Sequence, residues 1–91
     1  MSQNASKREL IARLARYLRA NPLASDTREG IARWWVGADG VDPAMLDDAL
    51  AWLVADGVVE CMYAADGRVR YRRVTFGGVS DARLDVLGGA P

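Results

Sequence analysis

Apolar residues recur at helical spacing in three stretches of the chain and alternate with polar ones in a fourth. The densest is VDPAMLDDALAWLVADGVV, Val41 to Val59. At about 100° per residue, Leu46, Ala49, Leu50 and Leu53 fall on one stripe. Asp42 is placed to cap this helix, because its carboxylate can accept from the free N–H groups of the first turn. Pro43 suits the first helical position, where its missing N–H loses nothing. Gly57 follows the last turn and can take the left-handed conformation that closes a helix. Val58 and Val59 then favour a strand. The same wheel turns Asp47, Asp48, Ala51 and Ala55 outward and sets Met45 and Trp52 on one flank of the stripe.

Upstream, Ser6 to Ala20 reads as a first helix, with Ser6 and Glu9 forming a capping box. Leu10, Ile11, Leu14 and Leu18 make its buried stripe, Tyr17 sits at the edge, and Arg13, Arg16 and Arg19 project to the other side. Asn21-Pro22 ends it, since the residue before proline avoids the helical region. Leu23 to Ser25 is then a short connection. Asp26 is expected to cap a second helix, about Thr27 to Val36, with Glu29 completing a second box. Ile31, Ala32 and Trp35 face the core in that reading, and Trp34 points away. Gly30 inside a helix costs about 1 kcal/mol against alanine, which predicts a close helix–helix contact there. Gly37 to Gly40, GADG, is the turn into the third helix, and Val41 adds at most one strand residue.

Downstream, Val58 to Tyr63 and Arg68 to Val74 form a hairpin around the turn signal Asp66-Gly67. Strand alternation puts Val69 and Tyr71 on one face and Arg68, Arg70 and Arg72 on the other. A two-residue loop would place Glu60 opposite Arg73 and Met62 opposite Tyr71. A longer loop shifts that register, and both remain open. Phe76 and Gly77-Gly78 end the hairpin. Ser80 to Leu87 has the makings of one or two helical turns through Leu84, Val86 and Leu87, but a helix that short needs something to pack on. Gly88 to Pro91 reads as a frayed tail.

Composition narrows the functional classes. A chain of 91 residues predicts one domain. Its expected limits are residues 6–76, after a disordered 1–5 and before a tail, 77–91, with a short helix at 80–87. The formal net charge is +0, so no bulk charge draws nucleic acid or an anionic membrane. The charge is unevenly spread, however. Residues 1–21 hold Lys7, Arg8, Arg13, Arg16 and Arg19 against Glu9. Residues 41–66 hold Asp42, Asp47, Asp48, Asp56, Glu60 and Asp66 with no base, and 67–76 return to Arg68, Arg70, Arg72 and Arg73.

Cys61 is the only cysteine and there is no histidine. That rules out an intramolecular disulfide and a cysteine metal cluster, and removes the usual zinc ligand and near-neutral general base. Cys61 itself is expected in the core or half-buried. Asp47 and Asp48 are adjacent, so on a helix they diverge by about 100° and cannot converge on one reacting atom. GADG lacks the GK[ST] ending of a phosphate loop. The expectation is therefore no enzyme, no cofactor and no metal. No apolar run approaches the roughly 20 residues that span a bilayer, and the polar MSQNASKRE is not a signal peptide, which predicts a cytoplasmic protein with no membrane partner.

The order helix, helix, helix, hairpin, with the phrase ALAWLVADGVVE at Ala49 to Glu60, resembles the winged helix-turn-helix superfamily over about residues 6–76. The resemblance implies a mostly α fold with a β-hairpin: a three-helix helix-turn-helix core plus a wing, the third helix being the one that enters a DNA groove. In DNA-binding members the exposed early positions of that helix carry hydroxyl, amide or basic residues. Here they are Pro43, Ala44, Met45, Asp47 and Asp48, and phosphate repels carboxylates. The leading expectation is a non-catalytic module that binds another protein, or a second copy of itself, through Met45, Asp48 and Trp52, with Trp34 adjoining. The alternative is a dimeric DNA-binding regulator. It would contact phosphates through the wing residues Arg68, Arg70 and Arg72 and the first-helix residues Arg13, Arg16 and Arg19.

Overall fold

The leucine stripes converge on one interior that contains no buried polar or charged residue among those described. The computed structural model describes residues 7–36, 42–74 and 81–89. Several expected features lie outside the described residues: the disordered segment 1–5, the Ser6 cap, the GADG turn, Val41, the Phe76 to Gly78 ending, Ser80, and the last two residues of the tail.

Helix α1, Lys7–Ala20, buries Leu10, Ile11, Leu14, Ala15 and Leu18. Helix α3, Pro43–Asp56, buries Leu46, Ala49, Leu50 and Leu53 against it. The end signals of α3 act as expected. Asp42 Oδ1 accepts from the Ala44 N–H at 3.0 Å, and Gly57 closes the helix at φ 87°. Asp47, Asp48, Ala51 and Ala55 are exposed.

The segment between these helices departs from expectation. Ser25–Asp26 is a short strand, β1, and not the connection and cap that the sequence suggested. It pairs antiparallel with a strand far along the chain, Ser25 opposite Arg72 and Asp26 opposite Tyr71. With Asp26 in the sheet, the cap moves one residue on. Thr27 Oγ1 accepts from the Gly30 N–H at 3.2 Å, so the Asp26–Glu29 box does not form. Helix α2 has a short α-helical opening, Arg28–Gly30, and continues as a π-helical stretch, Ile31–Trp35. The wider winding is sealed by the Val36 N–H donating to the Ile31 carbonyl at 3.2 Å, and it turns both Ile31 and Trp35 inward. Gly30 is explained differently too. Its open space holds the Asp26 carboxylate and not a neighbouring helix.

Strands β2, Val59–Tyr63, and β3, Val69–Arg73, form the hairpin, and β1 completes a three-stranded sheet in the order β1-β3-β2. Glu60 lies opposite Arg72, Cys61 opposite Tyr71 and Met62 opposite Arg70, which is the longer-loop register. The loop chooses it: the Gly67 N–H donates to the Ala64 carbonyl at 2.9 Å with Gly67 at φ 83°. A left-handed glycine after a turn adds the residue that a two-residue loop lacks. Cys61 is exposed, contrary to expectation. On its side of β2, Val59 is buried while Tyr63 is 81% exposed, so the hairpin runs out past the core.

Helix α4, Asp81–Leu87, packs along α1. Leu84 is fully buried and Leu87 rests on the core. The following Gly88 is buried as well. Arg16 fastens it, donating to the Gly88 carbonyl at 2.7 Å.

Candidate functional site

Because no described charged residue is buried, every described charged group that could meet a partner stands on the surface. Helix α3 carries no basic residue. Its exposed face presents Ala44, Asp47, Asp48, Ala51 and Ala55. Asp47 Oδ2 accepts from Arg28 Nη1 at 3.0 Å, and the Arg28 guanidinium also meets Glu29 at 3.4 Å. The Asp47 carboxylate is the main influence raising the Arg28 pKa above its ordinary value. The Glu29 carboxyl is held low, first by its own backbone N–H and then by Arg28. Asp48 has no ion pair among the described residues.

These groups line an open cleft of about 520 Å³ between α2, α3 and the hairpin, with Arg68 and Tyr71 on the far wall. Two guanidinium groups face two carboxylates there, so the cleft has no net field to draw a phosphate. The Tyr71 hydroxyl is pushed above its ordinary pKa, chiefly by burial.

The expected protein-binding residues are distributed over more than one surface. Met45 and Trp52 are half-buried and packed on the core, while Asp48 points to solvent. Trp34 is 68% exposed on the π-helical stretch. Its neighbour Trp35 is buried and stacks on Tyr17 with ring centroids 5.0 Å apart and an interplanar angle of 12°. Trp52 is half-buried where Trp34 is exposed. Trp52 opens onto a groove bounded by α1 and α4.

The arginines expected to touch phosphate are largely committed within the fold. Arg16 holds Gly88, and Arg19 meets Asp85 at 3.1 Å and Asp81 at 3.5 Å. Arg13 donates to the Val36 carbonyl at 3.4 Å. The first-helix arginine stripe, which the sequence allowed as a solvated face or an anion-binding one, is thus largely a fastening for α4, because α4 packs on that face and supplies acceptors. The sequence did carry a signal for this. Asp81 and Asp85 stand one helical turn apart, as Arg16 and Arg19 nearly do. On the hairpin Arg72 pairs with Glu60, and Arg73 pairs with Asp81 at 2.8 Å. Arg68 reaches only 4.0 Å from Asp66, and Arg70 is half-buried.

Sequence reasoning did not single out Lys7, Arg8 or the exposed side of Val86, which meet Trp52 at the groove. Among the described residues no group of His, Cys, Asp and Glu could hold a metal ion. No helix among them is long and apolar enough to cross a membrane. No protein-family profile, curated protein or solved structure matches this chain.

Proposed function

We propose that this chain is a non-catalytic winged-helix module that binds another protein through α3 and its flank. Four features support the winged-helix reading: α1, the α2–α3 pair, the β2–β3 hairpin as a wing, and β1 tying that wing to the start of α2. The observation that carries the functional reading is the open face of α3. It is alanine and aspartate where a groove-entering helix needs donors, and the guanidinium beside it, Arg28, is already held by Asp47, as Arg83 is by Asp56 at the end of the helix. Bringing Asp47 and Asp48 against phosphate adds repulsion that the rest of that face does not offset. Trp52 and Met45 on the flank of the same helix offer the aromatic and methionine surface that protein interfaces favour.

Titration of the whole chain against random duplex DNA at about 50 mM salt tests the reading, since low salt exaggerates phosphate contacts. No binding is expected. Binding that falls steeply as salt rises would favour the second reading, a DNA-binding regulator. Arg70, with no ion pair among the described residues, and Arg68, which meets Asp66 only at 4.0 Å, support that alternative. In that case Arg68→Ala with Arg70→Ala should lower the salt slope by about 2, one for each phosphate left without its cation.

A further inference from the structure

We propose that the groove between α1, α3 and α4 receives an acidic amphipathic helix of a protein partner; this rests on the protein-binding reading and names its site. The groove encloses about 750 Å³. Its apolar lining is Ile11 from α1, Trp52 from α3, and Val86 and Leu87 from α4, with Lys7 and Arg8 at the α1 end. Val86 is 66% exposed there. No side-chain nitrogen or oxygen is buried without a hydrogen bond among the described residues, so the groove offers no waiting anchor for a small polar ligand. An open apolar surface shared by three helices fits the leucine face of a helix.

The charge decides what kind of helix. Arg16 on the groove wall is engaged with Gly88, and Glu9, the one acid of the described lining, has a partner within the chain. Lys7 and Arg8 have no ion pair or hydrogen bond among the described residues. They also occupy the first turn of α1, where the helix dipole is positive and a cation costs about 0.3–1 kcal/mol. Two cations without an ion pair among the described residues, placed against the dipole at the mouth of an apolar groove, complement an anionic partner. Among the described residues no helix suits the groove from a second copy. The acids of α4 are tied to Arg19 and Arg73, and the open acidic face of α3 carries alanine, too small to fill the groove.

Two labelled peptides of about 14 residues, long enough to become helical on docking, provide the test. They share a leucine stripe at helical spacing and differ only in an outer face of glutamate or lysine. Fluorescence anisotropy with the whole chain at low salt should show saturable binding of the glutamate peptide and none of the lysine peptide. Lys7→Glu with Arg8→Glu should weaken binding at least tenfold, with an unchanged circular dichroism spectrum because both side chains are exposed. Val86→Asp should weaken it likewise. Equal binding of both peptides, no saturable binding, or full affinity in the charge-reversed variant would overturn the proposal. So would binding to phosphatidylglycerol vesicles without peptide binding, which would make the groove a lipid site. A dimer in sedimentation that Val86→Asp dissolves would assign the groove to a second copy and overturn it as well. Peptide failure without duplex binding removes only this groove, whereas duplex binding removes the protein-binding reading itself.

Discussion

The Asp26 carboxylate fills the space above Gly30: a β-carbon at residue 30 would lie 2.0 Å from Asp26 Oδ1. The same oxygen accepts from the Thr27 N–H at 2.8 Å, which fixes the carboxylate at the junction of β1 and α2. Two effects therefore compete in Gly30→Ala. Alanine gains about 1 kcal/mol of helix propensity. Displacing the carboxylate forfeits a charged hydrogen bond worth about 1.5–3 kcal/mol. The loss is larger, so Gly30→Ala should destabilise by about 1 kcal/mol in urea unfolding. With Asp26→Ala already present, the same change should become neutral or stabilising. A Gly30→Ala protein more stable than the parent would show that the carboxylate moves aside at no cost.

The adjacent tryptophans of α2 should respond in opposite ways. Trp35 is buried on Tyr17, and truncating a buried aromatic costs about 3–5 kcal/mol. Trp34 is exposed, and surface changes of that kind usually stay within about 0.5 kcal/mol. Trp35→Ala should lower the urea midpoint severely while Trp34→Ala leaves it in place. A large loss from Trp34→Ala would mean that its ring is covered in solution.

How much of this was readable beforehand follows from where the determining contacts lie. α3 announced itself because its cap, its proline, its stripe and its glycine stop are all local. β1 did not, because Ser25 and Asp26 are strand only through pairing with Arg72 and Tyr71 far along the chain. The hairpin register stayed open because Asp66-Gly67 suits more than one loop, and the Gly67 bond to Ala64 decided it. Arg16 and Arg19 resembled a solvated or anion-binding face because nothing near them in sequence reveals the helix that claims them. Trp52 was recognised as an edge residue, but its groove needs residues from both ends of the chain.

The hold on α4 is chiefly apolar. Leu84 is fully buried, and removing a buried leucine side chain costs about 2–5 kcal/mol. Arg19 is exposed, and surface pairs are worth about 0–1 kcal/mol. Leu84→Ala should therefore release α4 and speed proteolysis near residues 81–89, whereas Arg19→Ala should leave the cleavage rate nearly unchanged. Equal sensitivity of the two would assign the hold to the ion pairs.

Those ion pairs should still give α4 a signature in acid. Arg73, with its side chain only 12% exposed, donates to Asp81 Oδ1 at 2.8 Å, and Arg19 lies 3.5 Å from the other oxygen. The hydrogen bond from Arg73 is the main cause holding the Asp81 carboxyl below its ordinary range. A carboxylate depressed in the folded state stabilises fully above its unfolded pKa, about 3.9, because the unfolded chain takes up the proton first. That contribution is lost as pH falls from there through the lower folded value. Asp81→Asn should consequently melt below the parent near neutral pH, and the gap in Tm should close as the pH drops below about 4. Salt near 1 M should narrow the gap at neutral pH, since Asp81 is open to solvent and such pairs are screened. A gap that stays constant with pH, or widens in acid, would mean that Asp81 acts through packing and not through its charge.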